Sequence, residues 1–153
     1  MPDFRILLLD ERQLAEAYPL VRSATDVSPD RWKKFARELI ASGGGVLAVQ
    51  AADSCLHGVA AFRQVGTLRH ELSLQVELLA AFELSRLAPV RKALCAALED
   101  LARRKGCRNI LFTVAADAAG QARSGLHASL EARGARLATV SMVQKLAGEA
   151  ACG

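Results

Sequence analysis

Apolar residues recur along the first half of the chain at strand-like and helix-like spacings, which predict its first elements. Asp10 and Gln13 match a capping box, and Ser28 followed by Pro29 is typical of a helix start. Pro19 is expected to kink the first helix. The predicted elements are a strand over Phe4 to Leu9, a helix over Glu11 to Ala24, a helix from Pro29 to the stretch Gly43 to Gly45, and a hairpin of Val46 to Gln50 with Leu56 to Arg63.

The second half begins with alternating apolar and polar residues, which predict a strand with one buried face from Leu72 to Leu78. An amphipathic helix follows from Pro89, with Gly106 as its C-cap. The remaining predicted elements are a strand over Asn109 to Ala115, a helix over Gln121 to Arg133 and a final strand over Leu137 to Leu146.

This order of elements predicts an α+β fold. Antiparallel neighbours in the first half and a βαβ unit around Pro89 indicate a mixed, mostly antiparallel central sheet flanked by about four helices. No repeat or linker divides the chain, so we expect one domain over residues 1–147 and a C-terminal tail over residues 148–153.

The composition excludes several classes of protein. A chain of 153 residues can bury a sizeable core without staples. Its four cysteines show neither zinc-like spacing nor a secretory context, which favours a reduced, cytoplasmic protein without a metal. No apolar stretch reaches membrane-spanning length, and the net charge of +4 is scattered rather than gathered in one basic run. We therefore expect no membrane association and no nucleic-acid partner.

The segment from Leu78 to Val114 reads as strand, turn, basic helix start, amphipathic helix and strand. Its turn, Arg86-Leu87-Ala88-Pro89-Val90-Arg91, occupies the slots of the pattern Arg/Gln-x-x-Gly-x-Gly/Ala, with Pro89 and Arg91 in the two glycine slots. In this register the chain resembles a divergent member of the GNAT N-acetyltransferase superfamily, and the order of its elements extends that resemblance over nearly its whole length. The resemblance implies acetyl-CoA, or another acyl-CoA, as cofactor.

The resemblance also implies which residues hold the cofactor. The end of the strand would pair with the pantetheine arm, and the helix start would hold the diphosphate with its unpaired N–H groups and dipole. Pro89 has no N–H to donate, and a lost hydrogen bond to a charged group costs about 1.5–3 kcal/mol. Pro89 and Arg91 are equally consistent with a helix start selected for stability alone. The implied cofactor-binding residues are Leu79, Ala80, Ala81, Arg86, Leu87, Ala88, Val90, Arg91 and Lys92.

Two residues are candidates for acid–base chemistry. Alignment on Gly134 puts Leu130 where the resemblance implies a tyrosine as proton donor, so the usual donor is missing. His127, one turn earlier, is the candidate replacement, and Glu77 on the polar face of the strand is the candidate base. Each has a structural alternative, Glu77 as an ion-pair partner and His127 as an exposed or hydrogen-bonded helix residue. Glu83, beyond the strand, is expected to be solvated.

The function that the resemblance implies is an acyl-CoA-dependent N-acyltransferase. The acyl group, expected to be acetyl, would pass by direct attack to the amine of a small molecule or a peptide. Two alternatives remain open: an inactive GNAT-fold protein that binds CoA or another anion, and an interaction module that binds no cofactor. The abundance of leucine and alanine also permits an apolar surface for a homodimer.

Overall fold

The strands and helices follow the predicted order as far as the fourth helix. The structure, a computed structural model, describes residues 3–115 and 125–147. A short 3-10 turn, Glu11–Gln13, leads into the first helix. The elements of the described residues are β1 (Arg5–Leu8), α1 (Leu14–Ala24), α2 (Pro29–Ala41), β2 (Gly45–Gln50), β3 (Leu56–Val65), β4 (Ser73–Ala81), α3 (Pro89–Arg104), β5 (Asn109–Phe112) and α4 (Gly125–Ala132).

The helix starts are fixed by the side chains that the sequence pattern indicates. Asp10 Oδ1 accepts a hydrogen bond from the Gln13 N–H at 3.1 Å, and Gln13 Oε1 accepts one from the Asp10 N–H at 3.0 Å. At α2, Ser28 Oγ accepts from the Arg31 N–H at 3.2 Å. The Ser28 bond satisfies an N–H that has no partner within its own helix, whereas the Gln13 N–H also donates to the Asp10 carbonyl at 3.1 Å. Pro19 lies inside α1, which continues through it.

The strands of the described residues form one sheet in chain order. β1 to β4 are antiparallel to their neighbours, and β5 returns parallel to β4 after the α3 crossover. The prediction of a mixed, mostly antiparallel sheet with helices around it is therefore confirmed.

Helices cover both faces of the sheet. The core of one face is built from α1 and α2, where Trp32 is buried and its Nε1–H donates to the Leu14 carbonyl at 2.8 Å. The core of the other face is built from α3, with Leu130 of α4 buried in it. Side chains of β4 alternate between these cores, so β4 is enclosed on both faces.

The end of the chain differs from the prediction. β5 ends at Phe112 rather than Ala115, and α4 begins at Gly125, while residues 121–124 of the predicted helix lie outside the described residues. The predicted final strand over Leu137 to Leu146 is wrong, because these residues have no strand assignment and Met142 is 93% exposed. An alternating apolar pattern becomes a strand only by pairing with a neighbour, and none of the described ladders includes these residues. The predicted tail, residues 148–153, lies outside the described residues.

No helix in residues 3–115 or 125–147 is long and apolar enough to cross a membrane.

Gly58 in β3 lets α3 approach the sheet closely. A Cβ atom at this position would lie 2.6 Å from Val90 Cγ1 and 2.9 Å from Leu94 Cδ1, distances that are shorter than van der Waals contact. Both side chains belong to buried positions of α3. The start of α3 is therefore held against β3 at a point where only glycine fits without movement.

We expect Gly58→Ala to lower the free energy of unfolding by about 1–3 kcal/mol, because the added methyl group overpacks the α3 contact. Gly66→Ala is the matched control, since a Cβ there meets no atom within 4 Å. Urea unfolding of both variants measures the effect. Equal stability of the two variants would show that α3 does not need the close approach.

Candidate functional site

The sheet opens between β4 and β5. Their parallel pairing runs from Ser73 and Asn109 only as far as Val76 and Phe112, followed by one hydrogen bond from the Thr113 N–H to the Val76 carbonyl at 3.0 Å. β4 continues to Ala81, and over this second half it pairs, among the described residues, with β3 alone. We call the opening beside residues 77–81 of β4 the fork.

A β-bulge in β4 marks the point where the fork begins. Val76 pairs with Phe62 and Leu78 pairs with Ala61, so Glu77 is an extra residue in β4. A bulge bends its strand and increases the local twist, and both effects turn the end of β4 away from β5. The fork is therefore built into the register of the sheet.

The antiparallel ladder determines which backbone groups of β4 face the fork. The Phe82 N–H donates to the His57 carbonyl at 2.7 Å. Bonded and non-bonded positions alternate along such a ladder, so every second residue back from Phe82 also faces β3. The backbone groups of the intervening residues, Leu79 and Ala81, face the fork. They can pair with an extended ligand that takes the place of the next strand.

Glu83 occupies the start of α3. Its Oε1 accepts a hydrogen bond from the Val90 N–H at 2.9 Å, and its Oε2 accepts one from the Arg91 N–H at 3.0 Å. Pro89 has no N–H, and the Lys92 N–H already donates to the Ala88 carbonyl at 3.1 Å. All N–H donors of the first turn are thus absent or engaged. The expectation that Glu83 is solvated is wrong.

A carboxylate is stabilised at this position, because a helix start carries unpaired N–H groups and a positive partial charge. The backbone of the turn is also strained at this point. Ala88, the N-cap, has φ 50° and ψ 55°, a left-handed conformation that costs about 1–2 kcal/mol for a residue with a Cβ. The loop therefore holds an unfavourable backbone geometry next to a well-satisfied carboxylate.

Arg86 and Leu87, in the turn before α3, and Lys92, in its first turn, are exposed. The guanidinium of Arg91 lies against the first residue of α4, where a Cβ on Gly125 would be 2.8 Å from Arg91 Nη1. The group that the helix start holds in this structure is the Glu83 carboxylate.

A cavity of about 370 Å³ adjoins the start of α3. It is mainly apolar, and the charged or titratable side chains along it are those of Asp3, Asp53, His57 and Glu83. Asp53 Oδ2 lies 3.1 Å from His57 Nε2. Hydrogen bonds from the Cys55 backbone N–H and from His57 lower the pKa of Asp53. Among the described residues, the ionisable groups along this cavity are thus three carboxylic acids and one histidine.

Of the two predicted acid–base residues, Glu77 lies on the sheet and His127 lies on a helix. Glu77, at the bulge, pairs with Arg63 on β3, with 3.1 Å between Glu77 Oε1 and Arg63 Nη2. The contact lacks hydrogen-bond geometry, so this buried oxygen accepts no hydrogen bond from the described residues. His127 is on α4, where its Nε2 lies 2.9 Å from Glu131 Oε1. The ion-pair interpretation of Glu77 thus has a structural basis.

Leu130 is 5% exposed and packs in the core beside α3. At the position of the expected tyrosine, the chain therefore has a structural apolar residue.

The cysteines that the structure describes are unpaired thiols at positions 55, 95 and 107. Burial in α3 raises the pKa of the Cys95 thiol, which disfavours the thiolate that a nucleophile requires. Among the described residues, no three His, Cys, Asp or Glu side chains are grouped so that they could hold a metal ion.

The same architecture occurs in solved acetyltransferase structures. The aminoglycoside antibiotic 6′-N-acetyltransferase of Acinetobacter baumannii superposes with a TM-score of 0.76 at 18% identity, over 95% of this chain and 100% of that chain. The ribosomal-protein-alanine N-acetyltransferase of Brucella melitensis gives a TM-score of 0.73 at 19% identity, over 94% and 100%. An aminoglycoside N-acetyltransferase in complex with CoA gives 0.72 at 15% identity, over 95% and 96%.

The chain has the GNAT acetyltransferase fold. At these identities the likeness concerns the fold alone. No family model matches the chain, and a search of curated proteins finds no significant match. The resemblance that rests on Leu78 to Val114 is therefore confirmed for the GNAT architecture, while activity has to be argued from the site.

Only half of the implied acyl-CoA site fits that molecule. Along the fork, the backbone groups of Leu79 and Ala81 suit the amides of a pantetheine arm, as the sequence implies for this GNAT strand. At the start of α3, the Val90 and Arg91 N–H groups that would suit the diphosphate are bonded to Glu83. The structure therefore places the Glu83 carboxylate where the resemblance implies the diphosphate.

Sequence reasoning missed Glu83 because the residue is remote from the helix that it caps. Capping motifs are recognised within about three residues of a helix start, and Glu83 precedes Val90 by seven residues. The signal that remained was an acidic residue between a strand end and a helix start, which is weak without the loop geometry.

We expect Glu83→Ala to lower the free energy of unfolding by about 1–2 kcal/mol, since two N–H groups of α3 lose their acceptor. Glu71→Ala serves as control, because Glu71 is 77% exposed and its ion pair with Arg108 is long, at 3.5 Å. Chemical denaturation monitored by circular dichroism gives both values. If the two variants lost the same stability, Glu83 would not be an effective cap.

Proposed function

We propose that this protein is an N-acyltransferase that takes its acyl group from a thioester of a pantetheine arm. The observation that carries the proposal is the fork, where the backbone of Leu79 and Ala81 is directed toward an unpaired side of β4. Backbone groups do not depend on side-chain identity, so this binding mode tolerates the divergence of the chain. The GNAT fold supports the same reaction class as an analogy.

The reaction joins an amine to the acyl carbon and releases a thiol. The amine nitrogen forms a bond to the thioester carbonyl, the carbon–sulfur bond breaks, and the sulfur leaves as a thiolate that takes up a proton. A backbone N–H of β4 at the fork would stabilise the negative charge that develops on the carbonyl oxygen. This step requires only a donor that is already oriented by the sheet.

Glu77 is the proposed base. It lies at the bulge where the fork begins, and its buried Oε1 is ion-paired with Arg63 at 3.1 Å without accepting a hydrogen bond from the described residues. A carboxylate there can take the proton that the attacking amine must lose. His127 is the proposed proton donor for the thiolate, with its ring oriented by Glu131.

The acceptor is an amine of a small molecule or a peptide. The fold neighbours include enzymes named for aminoglycosides and for a ribosomal-protein alanine, which span both kinds of acceptor. The homodimer and the cytoplasmic location stay predictions from the sequence.

We expect acetyl-pantetheine at millimolar concentration to raise the melting temperature, since a ligand that binds only the folded state stabilises it. Adenosine 3′,5′-bisphosphate, which carries phosphates but no pantetheine arm, is the matched control and should cause a smaller shift. Thermal unfolding with each compound makes the comparison. Absence of any shift with acetyl-pantetheine would contradict binding at the fork.

We expect Glu77→Gln to reduce kcat for acyl transfer about 100-fold or more at neutral pH, because the amide cannot accept the amine proton. Donor affinity should remain unchanged. The control is Arg63→Gln, which removes the ion pair but leaves the carboxylate. Product formation across an amine panel, followed by mass spectrometry, measures both variants. Equal losses in the two would identify Glu77 as a purely structural partner.

A non-catalytic GNAT-fold protein is the second candidate function. Burial of Leu130 in the core favours it, because this residue stands where the resemblance implies the tyrosine acid. Such a protein would bind a pantetheine ligand at the fork and release no acylated product with any amine. Product formation that depends on Glu77 excludes this candidate.

A further inference from the structure

We infer that Glu83 is a specificity determinant that excludes the diphosphate of CoA, so that the site selects thioesters with a pantetheine arm and no diphosphate. The inference deepens the proposed function and rests on it for the identity of the arm. It concerns the start of α3, where the implied site and the observed structure disagree.

The carboxylate already fills the role that a diphosphate would have. Its two oxygens accept separate hydrogen bonds, at 2.9 Å from the Val90 N–H and at 3.0 Å from the Arg91 N–H. Pro89 has no N–H, and Lys92 donates within the helix. A second anion therefore finds no free backbone donor in the first turn of α3.

The charge around this helix start also disfavours a polyanion. The adjoining cavity carries Asp3 and Asp53 in addition to Glu83, and His57 is bonded to Asp53; among the described residues that line it, none is Lys or Arg. Hydrogen bonds from the Cys55 N–H and from His57 lower the pKa of Asp53. A diphosphate that approached through the cavity would be repelled by these carboxylates.

The three basic side chains near this helix start differ in position. Arg91 packs against Gly125 of α4, and Arg86 and Lys92 are exposed. The fork itself is neutral, because the groups that face it from Leu79 and Ala81 are backbone amides. Glu83 therefore acts on the far end of a donor molecule and leaves its pantetheine arm unaffected.

The test measures the affinities of CoA and of pantetheine by calorimetric titration of the wild type, Glu83→Gln, Glu83→Ala and Glu71→Gln. Glu83→Gln removes the charge while an amide oxygen can still accept a hydrogen bond, so it protects the fold. Glu71→Gln makes the same change in net charge at an exposed residue that pairs with Arg108. Circular dichroism verifies that each variant is folded.

We expect CoA to bind at least about tenfold more tightly to Glu83→Ala than to the wild type, because two donors become free and one negative charge is lost. Glu83→Gln should show a smaller gain, and Glu71→Gln none. Pantetheine should bind all four proteins equally.

The outcomes separate this inference from the proposed function. Unchanged or weaker CoA binding in both Glu83 variants would overturn the inference, and Glu83 would be only a helix cap. A CoA gain of equal size in Glu71→Gln would also overturn it, since the effect would then reflect net charge alone. If pantetheine bound none of the proteins while the Glu83 variants gained CoA affinity, the proposed function would fail and the exclusion by Glu83 would stand.

Discussion

The unequal pairing of β4 is the constraint on which the rest of the structure depends. β4 bonds to β3 along its whole length and to β5 along only its first half, and the Glu77 bulge marks the change. If β4 were paired along both edges over its whole length, none of its backbone groups would be available to a ligand. The bulge therefore converts part of a structural strand into an exposed edge, while the β3 ladder and the cores on both faces keep that edge rigid.

α3 starts beside the end of this edge, and its position is determined by packing before any ligand is considered. Because Gly58 has no side chain, Val90 and Leu94 pack directly against β3, and this contact determines the position of the first turn of α3. A helix start held there needs an acceptor for its N–H groups whether or not an anion is bound. Glu83 supplies that acceptor from within the chain, so the fold does not rely on a cofactor to complete α3.

The order of elements was predictable because each depends on local patterns: alternation for β4, the capping box at Asp10, and Pro29 and Pro89 at helix starts. The final strand was not predictable in this way. A strand requires a neighbouring strand to pair with, and the pattern over Leu137 to Leu146 does not specify one. An ion pair of Glu77 was one of two interpretations of the sequence, which did not identify Arg63 as its partner. The Glu83 contact escaped prediction because its geometry depends on how the loop folds back over seven residues.

Three features of the cofactor region point in one direction when they are considered together. Pro89 removes a donor from the helix start, Glu83 engages the next two, and Arg91 turns toward α4. Stability accounts for Pro89 as a good first helix residue and for Glu83 as the acceptor of two N–H groups of α3. A site that no longer has to bind a diphosphate can accommodate all of these features, because each is compatible with a stable unliganded fold and each lowers the affinity for the anion. At the fork, ligand binding and fold stability do not compete. An extended ligand would pair with the backbone of β4, and the side chains that stabilise the sheet would not be involved.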